Sequence, residues 1–359
     1  MRVDQVIPSL ASRDAIGVHT VNLRDGLRAA GIDSDIYYGS FTPDVEREGR
    51  PVTELGRGGR DRWLLYQASI GSPVYDLLAA RPEPKLVNYH NITPALLLRD
   101  WEPNVAYEAS LGRSQLARLA PQSRLAVADS AFNESELLAL GYEETAVVPL
   151  LIDMHSKSDA PDAALSARLA RRKEAEGGAD LLYIGKISPH KAPHDLVKML
   201  AVLRRLYDPA ARLHLVGSPL GETYMPALVA FVEELGLRHA VDFAGSVTGA
   251  ELESYFEAAD VYVSASDHEG FCVPIGEAMG HGLPIVAYGV TAVPETVGGG
   301  GLLLPDKAPG LFAAAVARVV SDRPLARTLS DAGRARAAHF DLASSVETFV
   351  SLVDKAVRG

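Results

Sequence analysis

Short apolar runs alternate along most of the chain with longer segments whose apolar residues recur at helical spacing. The short runs, bounded by turn residues, are typical of buried strands, and the longer segments are typical of amphipathic helices. When strands alternate with helices, each helix returns the chain to begin the next parallel strand. The pattern therefore predicts an α/β protein with parallel sheets.

The first half of the chain contains five strand candidates and one clearly delimited helix. The helix is predicted from Val18 to Ala30, because Gly31 directly after it is a favourable helix C-cap. The strands are predicted at Val3 to Pro8, Asp35 to Tyr38, Leu86 to Tyr89, Leu125 to Ala128 and Ala146 to Leu150.

The composition changes between Asp153 and Asp180, where Ala, Asp, Lys and Arg dominate, and this indicates a partly helical connection. We predict an N-terminal domain over residues 1–155, a linker over 156–179 and a C-terminal domain over 180–339. A terminal amphipathic helix over 340–359 is expected to pack on the N-terminal domain. The strands of the second series are predicted at Leu181 to Gly185, Arg212 to Val216, Val241 to Ala244, Val261 to Ser264 and Pro284 to Ala287.

Composition narrows the function classes. The 359 residues favour two domains. The net charge of -11 argues against general nucleic-acid binding but leaves room for a small anionic ligand. One cysteine excludes an internal disulfide and fits a reducing compartment. The N-terminal residues are too few and too polar for a signal peptide, and no apolar run approaches the roughly 20 residues of a membrane span. We expect a cytoplasmic protein, with peripheral contact at the inner face of a membrane left open and no oligomeric state indicated.

The most informative stretch runs from Asp267 to Gly282 and reads D-H-E-G-F-C-V-P-I-G-E-A-M-G-H-G. It follows a predicted strand, and Pro274 marks the place where a helix would start. Free backbone N–H groups and the helix dipole make such a turn an anion site. Glu269 and Glu277 flank it, which suits a ligand with a central phosphate and hydroxyl groups on both sides. Taken alone, Glu269 could be a solvated loop acid, and Glu277 is more typical of a helix N-terminal Glu that complements the helix dipole.

Two lysines, Lys186 and Lys191, lie in G-K-I-S-P-H-K after another predicted strand. Two cations in one turn can converge on a diphosphate, although lysines in surface loops are common. His90, in V-N-Y-H-N-I-T-P, ends a predicted core strand beside Asn91 and Thr93, and could bind a sugar hydroxyl.

Weaker features complete the survey. Gly17 could let the backbone approach a phosphate at the start of the first helix, although a plain βα turn explains it as well. No His, Cys or Asp cluster has the spacing of a zinc site, so no metal site is predicted. The group Arg57, Arg60, Arg62 and Trp63 could contact an anionic acceptor, but is more typical of a solvated helix start.

Taken together, these motifs resemble the retaining family 4 glycosyltransferases of the GT-B fold, the glycosyl transferases group 1 family. The resemblance covers nearly the whole chain and is strongest from Leu181 to Pro305. It implies two Rossmann-like domains whose parallel sheets face an interdomain cleft. G-K-I-S-P-H-K resembles the family's diphosphate-binding segment, and H-E-G-F-C-V-P-I-G-E resembles its pair of glutamates separated by seven residues.

The resemblance also implies roles for individual residues. Lys186 and Lys191 would neutralise the donor diphosphate, Glu269 would hold the sugar hydroxyls, and His90 would lie beside the transferred sugar. The donor side would comprise Gly17, Gly217, Val247, Gly270, Phe271, Cys272, Val273 and Glu277. The acceptor side would include Asn91, Thr93 and Ser130.

Two departures stand out: Lys186 occupies a position where Arg is frequent, and Cys272 replaces a common Gly. The first loses a bidentate grip on phosphate, and the second narrows the expected sugar pocket.

The implied reaction is metal-independent transfer of a hexose from a nucleoside-diphosphate sugar, with retention at the anomeric carbon. That sugar nucleotide is a co-substrate, and no cofactor is expected. The acceptor would be a glycan, a glycolipid or a small molecule. Two alternatives remain: a sugar-nucleotide epimerase of the same fold, which needs no acceptor, and a two-lobed binding protein without activity. A dehydrogenase is disfavoured, because the glycine fingerprint of dinucleotide binding is absent.

Overall fold

A computed structural model describes residues 1–12, 14–56, 58–59, 61–154 and 159–358. The strands are β1 (Arg2–Leu10), β2 (Ile36–Phe41), β3 (Arg50–Pro51), β4 (Arg62–Ala68), β5 (Lys85–Tyr89), β6 (Ser123–Ala128), β7 (Thr145–Val147), β8 (Asp180–Ile184), β9 (Arg212–Val216), β10 (Val241–Gly245), β11 (Val261–Ser264), β12 (Ile285–Tyr288) and β13 (Gly301–Leu304). The helices are α1 (Ala15–Ala29), α2 (Pro73–Ala79), α3 (Pro103–Leu119), α4 (Ala131–Ala139), α5 (Ala163–Glu176), α6 (Pro193–Leu206), α7 (Tyr224–Glu234), α8 (Gly249–Ala258), α9 (Val273–Gly280), α10 (Val293–Val297), α11 (Pro309–Ser321), α12 (Arg323–Ala337) and α13 (Leu342–Arg358).

The chain divides into two compact units. Unit 1 comprises Met1–Leu96, Asn104–Asp153 and Phe340–Gly359, and unit 2 comprises Leu97–Pro103 and Met154–His339. Unit 1 therefore includes the terminal helix, and unit 2 takes in a short segment from within the predicted N-terminal domain. The predicted linker contains α5, which packs on α8 inside unit 2. Linker residues 156–158 lie outside the described residues.

Unit 1 is built on a parallel sheet with strand order β3-β2-β1-β4-β5-β6-β7. The central strands are buried on both faces, so most of their residues are apolar, although β1 also buries Asp4 and Gln5. Helix α13 packs on α1, and its Phe349 and Val353 are fully buried beside Leu23 and Leu27. The apolar stripe of the last predicted helix thus completes the core of unit 1.

Unit 2 has a second parallel sheet with strand order β10-β9-β8-β11-β12-β13. Its core joins the sheet to α6 and α11, which pack against each other. In both sheets the chain first adds strands on one side and then reverses. Open α/β sheets bind ligands outside the carboxyl ends of the strands at this reversal, which lies between β1 and β4 in unit 1 and between β8 and β11 in unit 2.

Three sequence expectations are wrong. Arg62 and Trp63 begin strand β4 rather than a helix, while their suggested partners Arg57 and Arg60 lie outside the described residues. The glycine run from Gly298 to Gly301 is expected from its sequence to form a flexible turn, but Gly301 opens strand β13. The strand predicted from Ala146 to Leu150 ends at Val147. Within the described part of the chain, no helix is long and apolar enough to cross a bilayer.

Candidate active site

The reversal point of the second sheet brings together two residues that are far apart in sequence. Lys191 lies beyond the end of β8, and Glu269 lies beyond the end of β11, the neighbouring strand. The Lys191 ammonium is 2.6 Å from the Glu269 carboxylate. The side chains are only 22% and 6% exposed, respectively. The site therefore contains a largely desolvated ion pair at the place where open α/β sheets bind ligands.

The charge on Lys191 depends on its partner. Burial lowers the pKa of the Lys191 ammonium, but Glu269 and Cys272 together raise it by more, and the net shift is upward. Lys191 therefore stays protonated at neutral pH. A buried cation held by a carboxylate can exchange that partner for another anion, such as a phosphate.

Left-handed backbone conformations concentrate at the predicted site. Among the described residues other than glycine, positive φ angles occur at Asn91 (68°), Ala192 (47°), Cys272 (71°) and Thr291 (50°). Ala192 directly follows Lys191, Asn91 follows His90, and the Thr291 hydroxyl accepts a hydrogen bond from the Glu269 amide at 2.9 Å. Such conformations cost free energy and persist where the surrounding structure enforces them, often at functional sites.

Cys272 occupies the N-cap of α9 in this left-handed conformation. Burial raises the pKa of its thiol well above the ordinary value, and the nearby Glu269 carboxylate adds to the shift. The thiol is therefore protonated. Among the described groups none accepts a hydrogen bond from the N–H of Cys272 or of Val273. These two N–H groups at the start of α9 are therefore available to donate hydrogen bonds to a bound anion.

Glu277 lies one turn further along α9 and is half-buried. Burial raises the pKa of its carboxyl above the ordinary value, and Glu253 adds to this while His281 opposes it. No described residue donates a hydrogen bond to the Glu277 carboxylate. It therefore remains able to accept hydrogen bonds from the hydroxyl groups of a ligand.

Lys186 is exposed in the turn after β8, and no described residue forms an ion pair with it. The turn is fixed by the Tyr183 hydroxyl, which donates to the Lys186 carbonyl at 3.1 Å. Gly217, at the end of β9, has a φ of 141°, and a Cβ there would lie 2.1 Å from the Gly185 carbonyl oxygen. Glycine is therefore required at this position by the close approach of two strand ends.

Val247, Phe271 and Gly270 complete the predicted donor side. Val247 lies between β10 and α8 and lines a cavity of about 430 Å³ with Ala244 and Tyr255. The Phe271 ring is buried and its carbonyl accepts a hydrogen bond from Thr296. Gly270 lies in the loop between Glu269 and α9.

In unit 1 the predicted histidine lies in a buried polar network. The His90 side chain is 1% exposed, with Nδ1 3.0 Å from Asp129 Oδ2 and Nε2 2.6 Å from Gln67 Oε1. Gln67 in turn donates to Gln5, and Gln5 donates to the Thr20 carbonyl. The ring is therefore held at both nitrogens by side chains of unit 1.

The direction of this network fixes one proton. The Thr20 carbonyl can only accept a hydrogen bond, so Gln5 donates to it through Nε2 and accepts from Gln67 through Oε1. Gln67 Oε1 can likewise only accept, so His90 must donate to it through Nε2. The remaining contact, between His90 Nδ1 and Asp129, then holds one shared proton. Burial raises the pKa of the Asp129 carboxyl, although His90 opposes the shift. His19 packs on His90 at 4.9 Å, and burial lowers its pKa well below the ordinary value, so it is neutral.

The other predicted residues of unit 1 have mixed positions. Ser130 is buried and caps α4 by accepting from the Asn133 amide, so its hydroxyl already has a structural role. Gly17 lies in the first turn of α1, where a Cβ would approach the Ala11 carbonyl oxygen to 2.0 Å. Asn91 and Thr93 are half-buried in the loop after β5.

Sequence reasoning missed several residues that shape the site. Asp129 and Gln67 orient His90, and Thr291 orients Glu269. Their common signal is a polar residue at or just beyond the carboxyl end of a strand, which is visible for Asp129 in A-V-A-D-S. Thr291 lies in a loop whose conformation no local motif indicates.

Comparison with known proteins identifies a family match and the fold. Residues 168–336 match the model of the family described as glycosyl transferases group 1. The D-inositol 3-phosphate glycosyltransferase of Geodermatophilus obscurus is 31% identical over 313 residues, 83% of this chain and 63% of the relative. A GDP-mannose-dependent α-(1-6)-phosphatidylinositol monomannoside mannosyltransferase of Mycobacterium tuberculosis is 30% identical over 183 residues, 48% of this chain and 46% of the relative. The chain spans about half the length of the curated relatives it matches.

Solved structures show the same fold. HepE of Anabaena, in complex with UDP and glucose, has a TM-score of 0.78 at 17% identity and covers 99% of this chain and 100% of its own. Sucrose-phosphate synthase from Thermosynechococcus elongatus has a TM-score of 0.75 at 19% identity, covering 99% and 98%. Residues 168–336 thus belong to the glycosyl transferases group 1 family, and the chain has the GT-B fold that its motifs predicted.

Proposed function

We propose that the protein is a retaining, metal-independent glycosyltransferase that moves a hexose from a nucleoside-diphosphate sugar to a hydroxyl-bearing acceptor. The observation that carries this proposal is the Lys191–Glu269 pair at the reversal point of the second sheet. It combines a partly buried cation with a carboxylate in the position where open α/β sheets bind nucleotides. The group 1 family match over residues 168–336 supports it.

The donor diphosphate would bind between the two lysines and the start of α9. Lys186 is free of any described ion pair, and Lys191 can leave Glu269 for a phosphate oxygen. The Cys272 and Val273 amides would add uncharged donors. On either side of the phosphates, Glu269 would accept bonds from sugar hydroxyls and Glu277 from the ribose.

The chemistry follows from where charge develops. As the bond to the anomeric carbon breaks, negative charge grows on the leaving diphosphate. Preorganised donors in a water-poor site stabilise such charge most strongly, and Lys186, Lys191 and the α9 amides supply them. The acceptor hydroxyl would attack on the face that the phosphate leaves, with the phosphate taking its proton. This route preserves the anomeric configuration without an enzymic nucleophile.

The acceptor is assigned to unit 1, where the buried His90 network would hold the loop of Asn91 and Thr93 in place. Because the His90 side chain is buried and held at both nitrogens, it would support this loop and would not act as a free base. The curated relatives named above act on an inositol phosphate and on a phosphatidylinositol mannoside. We therefore extend the proposal to polyol or lipid-linked acceptors at a cytoplasmic site. A lipid-linked acceptor would bring peripheral membrane contact.

A panel of donors tests the reaction. Release of nucleoside diphosphate from UDP-glucose and from GDP-mannose is measured with and without D-inositol 3-phosphate, and the anomeric configuration of any product is read by NMR. Transfer with retention is expected, and activity is expected to persist in EDTA. An inverted product or complete loss in EDTA would contradict the corresponding part of the proposal. Isomerised donor without transfer would instead identify an epimerase.

Single substitutions test the cation roles. Lys186→Ala removes an exposed, unpaired side chain, so the fold should persist while turnover falls at least tenfold, as expected for a lost electrostatic stabiliser. Lys191→Ala should cause a loss at least as large. Lys198→Ala is the matched control, since Lys198 is exposed and has no assigned contact with the donor. Equal activity of all three variants would refute these roles.

A further inference from the structure

Lys307 joins two loops of the candidate site. It lies just beyond β13, and its ammonium is 2.7 Å from Asp195 Oδ2 and 2.7 Å from Asp267 Oδ1. The side chain is 20% exposed, and the ammonium lies 5.7 Å from the centre of the Tyr288 ring at the end of β12. One cation thus bridges two carboxylates at the carboxyl edge of the second sheet.

Each carboxylate belongs to a segment that carries a site residue. Asp195 is in the first turn of α6, four residues after Lys191. Asp267 lies two residues before Glu269, and its amide donates to the His190 carbonyl at 2.7 Å. The bridge therefore connects the segment that holds Lys191 to the loop that holds Glu269.

The bridge is charged at neutral pH. Burial lowers the pKa of the Lys307 ammonium, but Asp195 and Asp267 raise it by more. Burial raises the pKa of the Asp195 carboxyl, but the hydrogen bonds from Lys198 and Lys307 together with the nearby charges of His194 and Lys307 outweigh it, so the net shift is downward. A half-buried bridge with three charges loses more when its central cation is removed than an exposed pair does.

We propose that Lys307 is a positioning residue for sugar transfer: it holds the loops that carry Lys191 and Glu269 in fixed positions relative to each other. The expected change in turnover rests on the proposed function, whereas the structural link between the two loops does not. Lys307 has no assigned contact with the substrate; it acts through Asp195 and Asp267. Displacement of reacting groups by about 1 Å can cost about a hundredfold in rate.

Lys198 provides a matched control. It also bonds Asp195, at 2.8 Å, but it is 43% exposed and has no ion pair with Asp267 among the described contacts. Lys307→Met and Lys198→Met therefore remove the same charge from Asp195, and only the first releases Asp267. Lys307→Arg restores a cation that can reach both carboxylates.

The experiment compares these variants by hydrogen exchange and kinetics. In Lys307→Met we expect the amides of residues 266–272 to exchange at least tenfold faster and kcat with UDP-glucose or GDP-mannose to fall about tenfold to a hundredfold. Lys198→Met should match the wild type, and Lys307→Arg should recover most of the loss.

Identical exchange in Lys307→Met and Lys198→Met would overturn the proposal, as would faster exchange with unchanged kcat. If the wild type turns over neither donor, the proposed function fails instead. The exchange comparison still decides in that case whether Lys307 holds the two loops together.

Discussion

Substituting Lys191 should lower the free energy of unfolding of unit 2 by far more than the loss of one exposed ion pair would. Lys191→Met leaves the Glu269 carboxylate, which is 6% exposed, without its cation. Breaking a buried pair in this way costs about 3–5 kcal/mol, because one desolvated charge is left uncompensated. Lys191→Met/Glu269→Gln removes both charges and should recover much of that loss. The two substitutions should therefore be non-additive by about 2 kcal/mol.

The two tryptophans make the assay specific for each unit. Trp63 lies in β4 of unit 1, whereas Trp101 lies in unit 2 and packs edge-on against Tyr224 at 5.5 Å. In a Trp63→Phe background, fluorescence of Trp101 reports the unfolding of unit 2 alone. At about 2–4 °C per kcal/mol for a unit of this size, Lys191→Met should lower the melting temperature by about 6–20 °C.

Lys186→Met is the reference substitution, since Lys186 is exposed and outside any described ion pair. It should change the free energy of unfolding by about 0.5 kcal/mol or less. The reasoning fails if Lys191→Met costs no more than Lys186→Met, or if the double variant shows the simple sum of the single effects. Either result would mean that Glu269 is solvated well enough not to need its partner.

Two further predictions concern stability. Burial lowers the pKa of His214, but its interactions with Asp180 and Asp242 raise it by more, so the net shift is upward. The contribution of His214 to the stability of the folded state is therefore full below the ordinary pKa of 6.5 and is lost as pH rises through the higher folded value. Denaturant unfolding followed by Trp101 should show unit 2 less stable at pH 9 than at pH 6, and His214→Asn should reduce that difference. At Cys272, with its φ of 71°, Cys272→Ala should be less stable than Cys272→Gly by about 1 kcal/mol in thermal melts, and equal stability would contradict the left-handed conformation.

Two strands of the second sheet, Arg212–Val216 and Val261–Ser264, have the predicted bounds. The second is almost entirely apolar, as is typical of a buried parallel strand, whereas the first also buries Arg212 and His214. The equally buried strand β4 was not predicted. Strand β13 was missed because its first residue ends a run of glycines. A Cβ on Gly301 would lie 2.8 Å from the Ile285 Cβ, so close packing against the neighbouring strand favours glycine at this position. Such a constraint cannot be read from local sequence.

The residues of the candidate site also fall into those that the sequence could predict and those that it could not. Lys191 and Glu269 could be predicted, since each follows a predicted strand within a recognisable motif. Their contact depends on the pairing of β8 with β11, and the bridging of their loops depends on Lys307, which has no motif. Sequence reasoning therefore found the charged groups that are proposed to face a ligand but missed most of the groups that hold them.

Cys272 shows why the supporting structure decides what a site residue means. From sequence it was a bulky replacement for a glycine, expected to narrow the sugar pocket. Its φ of 71° explains a glycine at this position by backbone conformation, because a residue with a Cβ pays about 1–2 kcal/mol in the left-handed region. The buried thiol lies near Glu269, the same carboxylate that holds Lys191, and the charge of Glu269 helps to raise the pKa of the thiol. A substitution at Cys272 therefore changes both the backbone at the start of α9 and the surroundings of Glu269, and it should change sugar binding through that carboxylate.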